Sequence, residues 1–480
     1  MDAARTTPLR LTGPSALLWG RRFARDPLIA TRRLFEQCGP FVVLAQAIPF
    51  TRRVRAPMLG IPLVFTAGAA FNGAVLADPE VWRGVSLMPG GPKNSAAWRM
   101  IWSLPRLTGE RHAHYRKLLG QPLRRVRVEA LGEHMAGIAD EEAASWPLGE
   151  RIDLWDRIRQ MMQRFAVELL FAGGEQTRTI AELCSRVIER KWARSAIALP
   201  INLPVTPYGR VVRAADDLER RILQWATGKR GRADERDLAA IVINSPDENG
   251  KPADDAAIVA HITSLFALSS EGSQSVLAWT LILLAQHPKI AAALADEVRE
   301  KVGGAPLSLA KAAELAALDA VIKESMRLLP PVPLQIRVAQ ADASIAGNHF
   351  PKRTRVILNT FLTNRAPDLY PEAERFRPER WSAIAPNSFE FPAFGAGPHI
   401  CPGHWFGTAA VKIALAAILC RFRVEIPKGT RIDYRTQPNL PPSMRWSGNR
   451  CAYCHPCRCK YGWRKPMPAS PATFFPSAPG

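Results

Sequence analysis

The feature that most constrains this chain is a single cysteine on a glycine-rich loop, directly before a long and mostly apolar helical segment. The loop spans residues 394–403 and carries Cys401, and the apolar segment spans residues 404–419. A thiol at a helix N-terminus experiences the positive end of the helix dipole and free backbone N–H groups, which favour the thiolate. Pro402 suits the first helical turn, where its missing N–H costs nothing. The sequence therefore predicts a thiolate on a loop that a large, flat ligand can approach closely.

The spacing of this loop matches a known motif. Phe394, Gly397, Cys401 and Gly403 occupy its fixed positions, which resembles the haem-thiolate signature of the cytochrome P450 family. The resemblance implies that Cys401 is the axial ligand of the iron in haem b, iron protoporphyrin IX. The other loop residues that it implies at the cofactor are Phe394, Gly395, Gly403 and His399, which stands where the family more often has arginine. The alternative is a glycine-rich turn with an inert buried cysteine.

The rest of the chain predicts a mainly α fold with a small β portion. Apolar residues recur at helical spacing through most of residues 116–294, whereas residues 59–77 and 332–362 favour short strands. Length alone would predict about three domains. The resemblance spans about residues 41–445 and implies instead one triangular haem-binding domain, residues 1–446, with the cytochrome P450 fold.

A charged network is predicted near the cysteine loop. A helix is predicted over residues 309–328, with Ser308 as its N-cap. Glu324 and Arg327 lie three apart on it and share a face, which by itself is typical of a surface pair. The segment 376–381 resembles the family's Pro-Glu-Arg-Phe motif, with tryptophan in the phenylalanine position. The resemblance implies that Arg380 reaches back to Glu324 and Arg327 in a buried network. Arg375 and Arg377 are alternatives for its third member.

The predicted helix over residues 254–286 is implied to cross the haem face opposite Cys401. Its middle matches the family pattern at an acid, Glu271, but has Gly272 where the family has a proton-steering threonine. Ser273 supplies a hydroxyl one position later. We expect the proton to be delivered by this hydroxyl, by an ordered water or by a substrate hydroxyl. The alternative is that Glu271 is only a buried acid and that Ser273 faces away.

Further residues are implied to hold the two haem propionates. His112 and Arg116 lie four apart on a predicted helix, and they match the family's aromatic-x-x-x-Arg pattern with histidine in first place. Arg337 matches the family's strand arginine, and His399 adds a donor from the loop. Together these four residues can form charge-assisted hydrogen bonds to carboxylates.

The strong positive charge bears on partners. The net charge is +21 and the isoelectric point is near 10.2. Such charge is typical of solvated faces or of binding to acidic partners, and its clusters lack the interleaved aromatic residues of a nucleic-acid surface. No segment predicts a membrane span or a secretory signal, and the cysteines before residue 451 are scattered, so a cytoplasmic protein is expected.

The C-terminal tail, residues 447–480, falls outside the resemblance. Its four cysteines, between residues 451 and 459, are too close together to fold around a zinc ion, and many prolines follow. We expect a disordered extension, with a metal site as the alternative.

The resemblance implies an oxidoreductase, specifically a monooxygenase that inserts one atom of O2 into a small-to-medium apolar substrate. No dinucleotide fingerprint or flavin region is present in the sequence, so electrons from NAD(P)H are expected to arrive through a ferredoxin and its reductase, or a flavodoxin. The expected docking surface contains Arg116, Lys117, Arg124, Arg125 and Arg127. A peroxygenase, dehydratase or isomerase, or a non-catalytic haem protein, remain alternatives. Nucleic-acid binding is a further alternative, and only the positive charge supports it.

Overall fold

The computed structural model describes residues 7–44, 62–85, 90–147, 151–192, 196, 201–232, 237–302, 308–425 and 460–464. This part of the chain is mainly helical. Its α-helices are α1 (Gly13–Arg25), α2 (Pro27–Cys38), α3 (Ala69–Leu76), α4 (Ala96–Arg99), α5 (Gly109–Gly120), α6 (Arg125–Ala144), α7 (Leu154–Phe171), α8 (Glu175–Trp192), α9 (Pro207–Thr227), α10 (Leu238–Asn244), α11 (Asp255–Gln286), α12 (Pro288–Val302), α13 (Leu309–Ala313), α14 (Ala316–Leu328), α15 (Thr360–Thr363) and α16 (His404–Arg421). Short 3-10 helices occur at Leu104–Arg106, Pro378–Ser382 and Gly397–His399.

The β portion is small, as the sequence predicts. Its strands are β1 (Leu9–Leu11), β2 (Phe41–Leu44), β3 (Leu63–Thr66), β4 (Trp82–Gly84), β5 (Arg151–Asp153), β6 (Leu334–Ala339), β7 (Ala343–Ile345), β8 (Asn348–Phe350), β9 (Arg355–Asn359), β10 (Arg423–Glu425) and β11 (Lys460–Arg464). A mixed sheet has the order β1-β2-β3-β9-β6-β4, a second sheet has the order β10-β11-β5, and β7 pairs with β8. In the mixed sheet β4 and β6 are antiparallel, with Gly84 opposite Arg337.

One predicted strand region is partly wrong. Residues 63–66 form a strand, but Ala69–Leu76 is a helix rather than a second strand. The segment is rich in alanine, the strongest helix former, and Gly73 inside it costs only about 1 kcal/mol relative to alanine. The glycine was therefore too weak a signal to exclude a helix.

Two helix boundaries also differ from the prediction. The stretch predicted as one helix over 309–328 is divided into α13 and α14, although Ser308 caps its start as expected by accepting a hydrogen bond from Lys311 N. Gly403, not Pro402, is the N-cap residue of α16, so the proline lies in the turn before the helix.

Helix α11 lies in the centre of the largest core cluster and packs against α7, α14 and α16. Asp254 Oδ1 accepts a hydrogen bond from Ala257 N at 2.5 Å and caps its start. The helix ends at Gln286, and Pro288 begins α12 at an angle of 116° to it. Within the described residues, no single helix combines the length and apolar character needed to cross a membrane, and only this bent pair passes together.

Most of the tail lies outside the described residues, including the cysteines at 451, 454, 457 and 459. The described part, Lys460–Arg464, is the middle strand of the sheet that it forms with Arg423–Glu425 and Arg151–Asp153.

Candidate active site

The cysteine loop is fixed by backbone contacts. Cys401 N donates a hydrogen bond to Phe394 O at 2.8 Å, which closes the loop on itself. Gly395 and Gly397 have φ angles of +75° and +67°, a region that glycine adopts without strain. A Cβ on Gly397 would overlap the carbonyl oxygen of Leu76 at the end of α3. The loop therefore presses backbone to backbone against α3, and this contact sets where Cys401 lies.

The protonation of Cys401 is governed by opposing effects. Burial raises the pKa of the thiol above its usual value, and this is the largest effect. A hydrogen bond from the Gly403 backbone and the charge of Arg116 lower the pKa, but they do not compensate. The helix terminus alone thus does not make Cys401 a thiolate, contrary to the simple expectation. A cation bound at the sulfur would supply the missing stabilisation.

Helix α11 presents one accessible stripe in an otherwise buried segment. Between Ala257 and Leu284 the residues that are not buried are Ser264, Leu265, Leu268, Ser269, Glu271 and Gly272. They recur at helical spacing and so share one side of the helix. Leu268 is 58% exposed, which is unusual for leucine in a core helix, and a Cβ on Gly272 would meet nothing within 4 Å. This side of α11 therefore borders an open space.

The three candidate site residues on α11, Glu271, Gly272 and Ser273, face different directions. Gly272 faces the open space, whereas Ser273 is buried, with its Oγ 3.6 Å from where a Cβ on Gly407 of α16 would lie. Ser273 thus faces α16 rather than the stripe. Glu271 is partly accessible and has interactions of its own. Because Gly407 is six residues after Cys401, this contact places the turn of α11 around Ser273 against the beginning of α16, the helix that follows the cysteine loop.

Four predicted residues come together as a basic cluster, His112, Arg116, Arg337 and His399. The imidazole rings of His112 and His399 have centres 4.0 Å apart, and the Nε2 atom of each is buried without a hydrogen-bond partner among the described residues. Arg116 Nη1 donates to Ile400 O, next to Cys401. Burial lowers the pKa of Arg337 to about 10, and burial together with the other three members lowers the pKa of His399 to about 4.

The basic cluster fits a ligand with carboxylates. Its arginines form no ion pair with any carboxylate of the described residues, and Arg337 donates only long hydrogen bonds, to Ile336 O at 3.2 Å and Gln335 Oε1 at 3.3 Å. Buried charges without a counter-charge are unfavourable, so an anionic ligand would stabilise them. The two propionates of a haem whose iron is bound by Cys401 have the required chemistry.

A second charged group, the carboxylate network, is fully satisfied by the protein. Glu324 accepts hydrogen bonds from Arg327 Nη2 at 2.8 Å, Arg327 Nε at 2.9 Å and Arg380 Nε at 3.1 Å. Both arginines donate their remaining hydrogen bonds to backbone carbonyls, including Ala373 O and Pro371 O at 2.8 Å. Glu324 and Arg327 are completely buried. The structure thus brings together the three residues predicted for this network.

The predicted alternatives to Arg380 do not take its place. The side chains of Arg375 and Arg377 pair with Glu372 at the surface. Trp381 does join the network, since its Nε1 donates to Glu324 Oε2 at 3.1 Å. The sequence pattern did not predict this bond, because the phenylalanine usual at this position of the motif has no donor.

Comparisons with known proteins agree with this arrangement. The family model for cytochrome P450 matches residues 175–443, more than half of the chain. This chain belongs to the cytochrome P450 family. It is 29% identical over 373 residues to cyclooctat-9-en-7-ol 5-monooxygenase of Streptomyces melanosporofaciens, covering 74% of this chain and 80% of that protein. Pentalenene oxygenase of Streptomyces avermitilis is 26% identical over 327 residues, covering 66% and 72%.

A solved structure shares the fold of this P450. The cyanobacterial CYP120A1 bound to retinoic acid aligns with a TM-score of 0.72 and 22% identity, over 90% of this chain and 93% of that one. The family and the monooxygenases among its relatives make the chain an oxidoreductase, a cytochrome P450 monooxygenase. The mainly α fold with a small β portion is the predicted one.

The expected docking surface is divided by the structure. Arg124, Arg125 and Arg127 are exposed, and the Arg125 guanidinium lies 5.7 Å from the ring centre of Trp405, on the helix after Cys401. Arg116, by contrast, is half-buried and is bonded inside the protein, so it does not belong to the surface.

Proposed function

We propose that this P450 inserts one oxygen atom of O2 into an apolar terpenoid, with Cys401 as the iron ligand and electrons from an external partner. The observation that carries the proposal is the open space along the α11 stripe, on the helix that packs against α16 after the loop of Cys401. Its lining includes Leu268, an apolar side chain suited to a hydrocarbon. Terpene oxidation is drawn from bacterial relatives, cyclooctatin synthase and pentalenene oxygenase among them.

Haem b, when bound, supplies the reduction and cleavage of O2, and the residues of this chain hold and surround it. Cys401 would bind its iron from the loop that Phe394, Gly395 and Gly403 shape. The basic cluster would bind the propionates. The carboxylate network would hold the segment around Pro378–Ser382 against α14, and residues 1–446 would form the catalytic domain.

Protons require a route that does not pass through a threonine hydroxyl. Ser273 faces α16, so the open space beside Gly272 suits an ordered water or a substrate hydroxyl as the donor. Glu271, partly accessible one residue earlier, would supply protons to it. A threonine fits here, since a Cβ meets no atom within 4 Å. Gly272→Thr should therefore raise the product formed per NAD(P)H consumed.

Electrons would enter at the exposed basic surface. Arg124, Arg125 and Arg127 surround the start of α6, and Trp405 adds a 43% exposed apolar ring four residues after Cys401. This surface suits an acidic ferredoxin, supplied from NAD(P)H by its reductase in the cytoplasm. Flavodoxin is the alternative carrier, and rates with each purified protein would discriminate between them.

The first experiment is the carbon monoxide difference spectrum of the reduced, haem-loaded protein. We expect the long-wavelength Soret band of thiolate-bound haem, lost in Cys401→Ala while the protein remains folded by circular dichroism. A band typical of histidine-bound haem, or folded protein that takes up no haem, would refute the assignment.

The glycine at 272 favours a second candidate, a peroxygenase that needs no reductive activation of O2. Hydrogen peroxide without any reductase would then support faster turnover than the ferredoxin system. The opposite ranking would exclude this candidate.

A further inference from the structure

A second pair of unsatisfied donors lies near the basic cluster, in the segment between α4 and α5. Trp102 Nε1 and Arg106 Nε are both buried, and neither has a hydrogen-bond partner in the part of the chain that the structure describes. The guanidinium carbon of Arg106 lies 4.3 Å from the centre of the Trp102 ring, so the two side chains stack. The pair therefore presents two N–H donors without an acceptor from the protein.

The electrostatic surroundings of Arg106 contain another cation rather than a carboxylate. Burial lowers the pKa of Arg106, and so does the neighbouring charge of Arg83. Neither arginine forms an ion pair with a carboxylate in the described part of the chain. The two propionates of haem already have four basic groups in the basic cluster. Arg106 therefore represents positive charge beyond what the cofactor requires.

The position of the pair connects the basic cluster with the substrate side of the site. The 3-10 turn Leu104–Arg106 contacts both α5 and β4. A Cβ on Gly84 would lie 2.8 Å from Pro105 O and 3.8 Å from Arg337 Nη1, so the turn lies beside Arg337. Trp102 follows α4, which packs against α11, the helix with the accessible stripe.

We propose that Arg106 and Trp102 bind a carboxylate of the substrate and make this P450 selective for an apolar organic acid. The proposal rests on the proposed function, because the acid must occupy the open space along α11. Arginine and the indole nitrogen donate hydrogen bonds and accept none. Together they favour a carboxylate, which accepts at both oxygens, over the corresponding ester or hydrocarbon. A haem propionate has the same chemistry, and the experiment separates the two sources.

The test compares matched acids and esters as ligands of the haem-loaded protein. Retinoic acid with methyl retinoate, and palmitic acid with methyl palmitate, are titrated while the shift of the Soret band is recorded. We expect at least one acid to bind about 10-fold more tightly than its ester, the effect of a hydrogen bond to a charged group. Arg106→Gln should remove this preference and leave binding of the ester unchanged.

Two further variants and a second measurement complete the design. Trp102→Phe keeps the stacked ring but removes the N–H, so it should reduce the preference by a smaller factor and also serves if Arg106→Gln does not fold. Arg10→Gln, at an exposed position of β1, should keep the full preference. The rate of haem loss to apomyoglobin should be the same in Arg106→Gln and the unsubstituted protein.

Three results would overturn the proposal. No acid binds more tightly than its ester, or the preference survives in both Arg106→Gln and Trp102→Phe. The third result is that Arg106→Gln loses haem faster while the preference for the acid persists. In that case the carboxylate that Arg106 binds is a haem propionate. A normal carbon monoxide spectrum with no acid preference rejects this inference alone, whereas absence of the thiolate band rejects the proposed function as well.

Discussion

The carboxylate network and the basic cluster are both groups of buried charges, yet the protein treats them in opposite ways. In the carboxylate network, Glu324 accepts hydrogen bonds from two arginines, whose other N–H groups reach backbone carbonyls. In the basic cluster, the Nε2 atoms of His112 and His399 have no hydrogen-bond partner within the described ranges of the chain. A buried polar group that the protein satisfies stabilises the fold, whereas one left unsatisfied indicates a missing ligand. The difference supports the proposal that the basic cluster binds the cofactor.

The largest effect is expected from breaking the carboxylate network. Glu324→Gln keeps the shape of the side chain but leaves Arg327 and Arg380 without a counter-charge. Removing one member of a buried ion pair costs about 3–5 kcal/mol, so the free energy of unfolding in urea should fall by that amount. The control is Glu36→Gln, at a 59% exposed carboxylate that pairs with the exposed Arg32, which should change stability little. Equal, small effects of both substitutions would contradict a structural role for the network.

The basic cluster should respond with the opposite pattern. Arg337→Gln removes a buried cation that has no carboxylate partner in the described chain. The free energy of unfolding of the haem-free protein should therefore stay the same or increase. Loss of a charge-assisted bond to a propionate should speed haem transfer to apomyoglobin about 10-fold. If the haem-free variant were destabilised as strongly as Glu324→Gln, Arg337 would stabilise the fold in the way that Glu324 does.

One buried histidine, His261, lies outside both groups, and we expect it to affect the stability of the fold rather than to bind a ligand. His261 stacks on Tyr115 with ring centres 4.1 Å apart, and burial, Arg111 and His114 lower its pKa to about 3. Between pH about 3 and 6.5 the unfolded chain binds a proton that the folded chain does not, so stability falls as pH falls. His261→Phe keeps the stack and should flatten this dependence by up to about 1.4 kcal/mol per pH unit. Identical pH profiles of unfolding would show that His261 titrates normally.

The smallest effect concerns the unpredicted member of the carboxylate network. Trp381→Phe restores the phenylalanine usual in the family and removes the bond to Glu324 Oε2, which should cost about 1 kcal/mol. Trp405→Phe is the matched control at an exposed ring. A stabilised Trp381→Phe would mean that packing, not the hydrogen bond, decides this position.

The sequence predicted those parts of the site whose spacing alone determines their place. Cys401 follows its glycines on one loop, and Glu324 and Arg327 share a helix face at any orientation of that helix. Ser273 could not be assigned in this way, because a small rotation of α11 decides whether its hydroxyl faces the stripe or Gly407. Arg106 was missed because its lack of a partner arises only when β4, α5 and the 3-10 turn come together.

The contact between Gly397 and Leu76 has a consequence for natural and engineered variation of this enzyme. Because main chain meets main chain there, a side chain at 397 would displace the whole loop and with it the sulfur. Substitutions at either end of this contact would move the sulfur relative to the haem that we propose it binds. Substitutions of Arg116 would instead change the charge near the sulfur and would also remove the hydrogen bond to Ile400 O. With the haem bound as proposed, the first kind of substitution would change the reduction potential through the position of the sulfur, and the second chiefly through the charge beside it.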